Sequence, residues 1–137
     1  MAAWLPQALA LDQGVTPAGV AYASGGVGQG EREEMQALRA QHNFWLMTAA
    51  ARSGVYLADV EVRIVPRGQE APVLEHRMDG PWLYAQLPAG RYEVQAAWNP
   101  GDGQPLQVRR SVITIAAGQR QQMVLYFKAA DEAAPAR

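Results

Sequence analysis

Apolar and polar residues alternate along several short stretches of this chain, which is the pattern of β-strands with one face towards a core. Residues 78–94 are the most informative, because two such stretches flank Leu87-Pro88-Ala89-Gly90, the composition of a tight turn. We expect a β-hairpin with Pro88, Ala89 and Gly90 as its loop. The same alternation predicts further strands, which bring the total to seven, at 44–49, 60–65, 73–77, 106–115 and 121–127.

The pairing of this hairpin predicts which of its faces is buried. One face is apolar, whereas the other is largely polar on the second strand. Because opposed residues of a hairpin share a face, the first strand is expected to follow the same division. The predicted core face comprises Trp82, Tyr84, Tyr92, Val94, Ala96 and Trp98, and the other face comprises Leu83, Ala85, Arg91, Glu93 and Gln95.

Tyr92 stands two residues after the turn glycine, Gly90. At this place on a sandwich strand, a phenol can donate its hydroxyl hydrogen to the backbone just upstream, as in a tyrosine corner. Pro88, Gly90 and Tyr92 are therefore predicted to form a structural corner.

The stretch 106–115 does not alternate cleanly. Its apolar residues Leu106, Val108 and Val112 share one parity, whereas Ile113 and Ile115 share the other. We expect a β-bulge here, or a strand that passes from one sheet to the other.

Residues 1–30 are rich in Gly and Ala and are interpreted as a flexible leader. The glycine-rich segment 25–30 runs into a predicted helix, which is a feature of some phosphate sites. It lacks the Gly-Lys-Ser/Thr ending of such sites, and three glutamates follow it closely. A linker or turn is therefore the favoured interpretation.

Residues 31–42 are predicted to form a short helix. Glutamates lie in the first turn, and Met35, Leu38 and His42 recur at the spacing of one apolar stripe. A three-turn helix is marginal on its own, so it must pack on something else. We expect it on the outer face that contains Leu83, or at one end of the sandwich.

Several of these residues together resemble a known family. The Asp-Gly pair at 79–80, the alternating aromatics and the Leu-Pro-Ala-Gly-Arg-Tyr run at 87–92 look like the carboxypeptidase regulatory-like domains. Residues 54–64 and 113–127 are similar to the opening strand and the closing pair of that family. The resemblance implies a mostly β fold, a seven-stranded antiparallel Ig-like/prealbumin-like β-sandwich with one short N-terminal helix. It implies no enzymatic activity, and the chain looks most like the small, free-standing versions that bacteria export.

Length and composition fit one compact domain. A chain of 137 residues with 49% hydrophobic content can bury a single sizeable core. We assign the sandwich to 43–128 and a disordered tail to 129–137. A net charge of −1 provides no field to attract a nucleic acid, and no apolar run approaches the length of a membrane span. The absence of cysteine excludes disulfides and thiol chemistry.

The N-terminus contains a partial export signal. Ala8-Leu9-Ala10 has the small-x-small form that a signal peptidase cleaves, but no basic residue precedes it. Residues 1–10 are therefore either the remnant of a signal peptide or part of an ordinary leader. The family resemblance favours export, and a periplasmic location is the expectation.

Residues that could act in catalysis or metal binding are few and scattered. His42 ends the predicted helix, while Glu75 and His76 would point to opposite faces of a strand and could not share a metal. None of the three serines lies in a nucleophile elbow. We therefore expect no catalytic residue, no cofactor and no metal site.

Two functions from different classes remain open. The first is a non-catalytic module of the cell envelope that binds an unidentified protein or helps assembly, with an oligomer through an edge strand also open. The second is a carbohydrate- or small-ligand-binding domain that uses exposed aromatic side chains. The candidate contacts are Trp45, with Tyr56 or Arg63, and a contiguous exposed aromatic patch would favour the second function.

Overall fold

The described part of the chain, residues 11–101 and 103–129 of a computed structural model, forms strands and one α-helix. The strands are β1 Asp12–Val15, β2 Ala21–Gly25, β3 Phe44–Ala50, β4 Glu61–Pro66, β5 Leu74–Arg77, β6 Trp82–Ala85, β7 Gly90–Trp98, β8 Gln107–Ile115 and β9 Gln121–Phe127. The helix α1, Gly28–Leu38, continues into a single 3-10 turn, Arg39–Gln41. One sheet has the order β1-β2-β6-β3-β9 and the other has the order β5-β4-β7-β8, so the protein is mostly β, as expected.

The main core lies between the two sheets. Because alternate residues of a strand point to one face, β4 and β7 direct Val62 and Val94 towards Phe44 and Leu83 of the other sheet. All four side chains are at most 3% exposed. Burial of each such side chain contributes about 1.5–3 kcal/mol to folding. Other large members of this core are Leu46, Ile64, Leu74, Met78, Leu87 and Phe127.

The predicted strand count of seven is wrong, because the described residues contain nine strands. The two additional strands, β1 and β2, lie inside the segment 1–30 that was expected to be a leader. Small residues suggested flexibility there, but in β2 they allow close packing: Ala23 and Ser24 are at most 1% exposed. The Ser24 hydroxyl donates to the carbonyl oxygen of Trp82 on the neighbouring strand (3.2 Å). The expected signal-peptide remnant, 1–10, and tail residues 130–137 lie outside the described residues.

The expected hairpin does not form, because β6 and β7 belong to different sheets. The chain crosses between the sheets at Pro88, and side chains replace the missing ladder bonds. The Asn43 side chain donates to the carbonyl oxygen of Leu87 and accepts from its N–H, both at 2.8 Å. The Tyr92 hydroxyl donates to the carbonyl oxygen of Pro88 (2.6 Å), the upstream bond expected of a tyrosine corner. Gly90, at φ 154°, adopts a backbone conformation that favours glycine.

The face assignment is correct for β7 but reversed for β6. Tyr92 and Val94 line the main core, whereas Trp82 and Tyr84 point to the outer face of their sheet. They are still buried, at 7% and 2% exposure, because α1 packs over them through Met35. The helix therefore covers the face opposite to the one expected. The prediction failed because every residue of β6 is apolar, so the strand has no polar marker of its solvent side.

Two further expectations about the strands are wrong. The sheets are not wholly antiparallel, since β3 and β9 run parallel. Strand β8 contains no bulge and pairs with β7 in one continuous register from Gln107 to Ile115. Its apolar residues change parity because Arg109 occupies an inward position, with its guanidinium 5.2 Å from the centre of the Phe127 ring, while Val108 and Val112 lie on the outer face.

A close backbone approach beside β6 leaves no room for a side chain at Gly80. A Cβ atom added at Gly80 would overlap the carbonyl oxygen of Gly25 at the end of β2. We expect Gly80→Ala to lower the free energy of unfolding by about 1–3 kcal/mol, since one of the two segments must move. Gly30, in α1, has open space around it, so Gly30→Ala should instead raise that free energy by up to about 1 kcal/mol. Urea unfolding of both variants checks the pair, and equal effects would contradict the close approach.

Candidate interaction surface

The three candidate contact residues do not meet. Trp45 lies on β3 and Tyr56 bridges to Ala49 of the same strand, whereas Arg63 lies on β4 in the opposite sheet. Arg63 therefore cannot line one binding site with Trp45 or Tyr56.

Trp45 is not a free stacking platform. The Arg39 guanidinium lies 4.0 Å from the centre of its ring, and that of Arg120 lies 5.9 Å away. The indole N–H donates to the carbonyl oxygen of Arg39 (3.1 Å). These contacts fasten the end of the helical segment to the sheet, so the ring has a structural role.

The aromatic residues near Trp45 are also packed. Tyr56 is 47% exposed, but it meets Trp82 edge-on, with ring centres 6.1 Å apart. Tyr84 lies between Trp45 and His42 at ring-centre distances of 6.4 and 5.9 Å. The described residues thus form no contiguous exposed aromatic patch of the kind that would favour carbohydrate binding.

The two tyrosines whose pKa is shifted contribute to the packing of the protein. Burial raises the pKa of Tyr84, and the nearby charge of Arg39 opposes this shift. Burial likewise raises the pKa of Tyr92. Both phenols stay protonated at neutral pH. Tyr92 can therefore donate its hydrogen bond, and neither tyrosine is suited to act as a base.

The two histidines also hold the fold. The Nδ1–H of His42 donates to the carbonyl oxygen of Leu38 at the end of α1 (2.9 Å). His76, on β5, packs against the ring of Tyr22 (ring centres 5.0 Å apart), and its Nε2 lies 3.3 Å from a carboxylate oxygen of Asp12. Across the described ranges, no three His, Cys, Asp or Glu side chains gather in a group that could hold a metal ion.

The exposed backbone at the sheet edges is the remaining feature with binding capacity. The edge strands β1 and β5 are four residues long, and side chains tie them together. The Thr16 hydroxyl donates to the carbonyl oxygen of Val73 (2.7 Å) beside β5. Short edges that are tied down in this way offer little template for another chain.

On the opposite side of the molecule, β8 partly covers β9. Arg109 donates to the carbonyl oxygen of Tyr126 (3.0 Å), and the Gln107 amide exchanges two hydrogen bonds with the backbone of Lys128 (2.7 and 2.9 Å). These side chains bond the backbone at the C-terminal end of β9. Among the strands of the described ranges, β8 itself pairs on one side only, with β7.

The register shows which groups of β8 face outward. The N–H of Arg67 donates to the carbonyl oxygen of Arg91 (2.9 Å), so Arg91 points towards β4 and the next residue, Tyr92, points towards β8. Tyr92 lies opposite Ile113, which therefore points back to β7. Successive residues alternate, so the outward-facing backbone groups belong to Val108, Arg110, Val112 and Thr114. Of these groups, the carbonyl oxygen of Val108 accepts a bond from Arg109 (3.2 Å).

This open edge is long and regular. Strand β8 has nine residues and contains neither proline nor lysine, two residues that commonly protect edges. The side chains of Val108 and Val112 are 45% and 42% exposed. We call residues 108–114 the β8 edge. The sequence analysis did not identify this edge. The available signal was the mixed parity of 106–115, because apolar residues on both faces of a strand indicate that its outer face also makes contacts.

The outer face beside the β8 edge is a shallow depression of about 540 Å³. Its other cations are paired: Arg63 with Glu75 (3.0 Å), and Arg77 with Glu61 (3.6 Å). Arg110, opposite Gln95, forms no hydrogen bond or ion pair with any described residue. On its outer face, the β8 edge therefore presents one positive charge, that of Arg110, which has no ion-pair partner among the described residues and lies between two valines.

Within the described ranges, no helix combines the length and apolar character needed to cross a membrane. No protein-family model, curated protein or solved structure matches this chain.

Proposed function

We propose that this chain is a non-catalytic β-sandwich module of the bacterial cell envelope, and that it binds an extended segment of another protein along the β8 edge. The observation that carries the proposal is the row of outward-facing backbone groups between Val108 and Thr114. A strand added there would complete hydrogen bonds that the sheet leaves open, as in other cases of strand addition. Exposed valines beside the edge would add apolar contact.

The architectural part of the proposal is an Ig-like, prealbumin-like β-sandwich. It is supported by two sheets that enclose one core and by the tyrosine corner at Tyr92. Location in the envelope rests on the resemblance to exported domains and on Ala8-Leu9-Ala10, which lies outside the described residues.

Substitution of Val112 by lysine tests the proposed function. A lysine on this strand puts a charge where the partner segment would lie, which is how natural proteins block edges. Val55→Lys is the matched control, because Val55 is also exposed (61%) and lies away from β8. We expect Val112→Lys to reduce capture of a specific envelope protein by tenfold or more, about 1.4 kcal/mol in affinity, while Val55→Lys captures as well as the parent.

The measurement is quantitative pull-down from an envelope extract with each purified variant, followed by mass spectrometry. Thermal unfolding verifies that both variants remain folded. Equal capture by all three proteins would overturn binding at the β8 edge. Fractionation of cells that express the full-length precursor tests the envelope location in the same preparation.

A further inference from the structure

The side chains of the β8 edge restrict what can lie beside it. On the outer face, the order along the strand is Val108, Arg110, Val112, at intervals of two residues. In a paired strand, residues directly opposite one another interact most strongly. The three outer-face positions of an added strand would therefore meet an apolar, a cationic and an apolar side chain in turn.

We infer that the bound segment contains an acidic residue with an apolar residue two positions before it and another two positions after it. This inference rests on the proposed function. Its basis is charge complementarity, because Arg110 has no counter-ion among the described residues while Arg63 and Arg77 are paired. A carboxylate opposite Arg110 would be favourable, and a cation there would be repelled.

The intervening positions of the added strand would face the other way, towards the gap between β8 and β9. Arg109 and Gln107 fill that gap and are already hydrogen-bonded to the β9 backbone. Ser111 is the next inward residue. Small polar residues suit these surroundings, so the full pattern is apolar, polar, acidic, polar, apolar.

A second copy of this chain fits the β8 edge poorly. Antiparallel self-pairing that places Val108 of one copy opposite Val112 of the other must also place Arg110 opposite Arg110, given their even spacing. Like charges directly opposite one another destabilise a strand pair. The occupant that uses both valines is therefore a different sequence.

Three synthetic peptides test the pattern against the purified protein. The first is acetyl-Thr-Val-Thr-Glu-Thr-Val-Thr-amide, and the others replace Glu by Gln or Lys. We expect the Glu peptide to bind more tightly than the Lys peptide by a factor of about 3 to 30 in Kd, with Gln between them. The preference should shrink as salt is raised, because both charges are exposed. Titration followed by amide NMR measures affinity and location together.

Charge reversal at Arg110 supplies the decisive comparison. In Arg110→Glu the order of the three peptides should invert, whereas in the matched control Arg67→Glu, at another exposed arginine, it should stay as in the parent. Binding at the β8 edge with equal affinity for all three peptides would overturn the acidic pattern and leave the proposed function standing. Absence of shifts at 108–114 with every peptide would overturn both. A concentration-dependent dimer through the β8 edge would overturn the inference in favour of a second copy.

Discussion

Replacing Leu83 with alanine is expected to lower the free energy of unfolding by about 2–5 kcal/mol. Leu83 is fully buried between the sheets, where it belongs to the same core as Phe44 and Phe127. Truncation removes its apolar contacts and leaves a cavity that rigid strands on both sides cannot close. Urea unfolding followed by tryptophan fluorescence measures the loss.

Leu106→Ala is the matched control for this prediction. Leu106 is 58% exposed just before β8, so its truncation should change the free energy of unfolding by no more than about 0.5 kcal/mol. The two leucines differ in burial, which isolates the effect of the core. A Leu83→Ala variant as stable as Leu106→Ala would mean that the side chain of Leu83 is not closely packed in the core.

The contrast between β6 and β7 shows what a single sequence can decide about burial. Arg91, Glu93 and Gln95 mark the outer side of β7, so the period of two gave the correct core face there. β6 is apolar throughout and buried on both faces, because a helix from elsewhere in the chain covers its outer side. Only the position of that helix distinguishes the two faces.

The crossing at Pro88 illustrates a second limit. The Leu-Pro-Ala-Gly composition correctly located a change of direction and a tyrosine corner, since both depend on neighbouring residues. Whether the flanking strands pair or part depends on a distant residue. Asn43, 44 positions earlier, satisfies the backbone of Leu87 and so stabilises the crossing in place of a hairpin.

The candidate surface was only partly accessible to sequence reasoning. A sheet edge was among the expected binding modes, but which strand is an edge follows from topology, and the parallel pairing of β3 with β9 is a long-range property. Trp45, one of the predicted contacts, lies under Arg39. Arg39, its cation–π partner, comes from the helical segment. The alternation along the β-strands does not predict where that segment packs on the sheet.

Replacing Met35 with alanine is expected to lower the free energy of unfolding by about 2–5 kcal/mol, because Met35 is the fully buried residue of α1 and packs on Trp82 and Tyr84. The helix is 11 residues long, so packing rather than intrinsic propensity must stabilise it. Gln36→Ala, on the exposed side of the same helix, should change that free energy by no more than about 0.5 kcal/mol.

Hydrogen exchange measures how the loss of stability in Met35→Ala is distributed between the helix and the strands beside it. Strand β2 lies between β1 and β6, with α1 packed against it, so amide protection of Ala23 and Ser24 should fall together with that of the helix. If protection in β2 stayed at the parent level while α1 alone exchanged freely, the N-terminal strands would not depend on the helix. In that case α1 would be a peripheral element. Loss of protection in both elements would instead establish that residues 11–38 fold together with the five-stranded sheet.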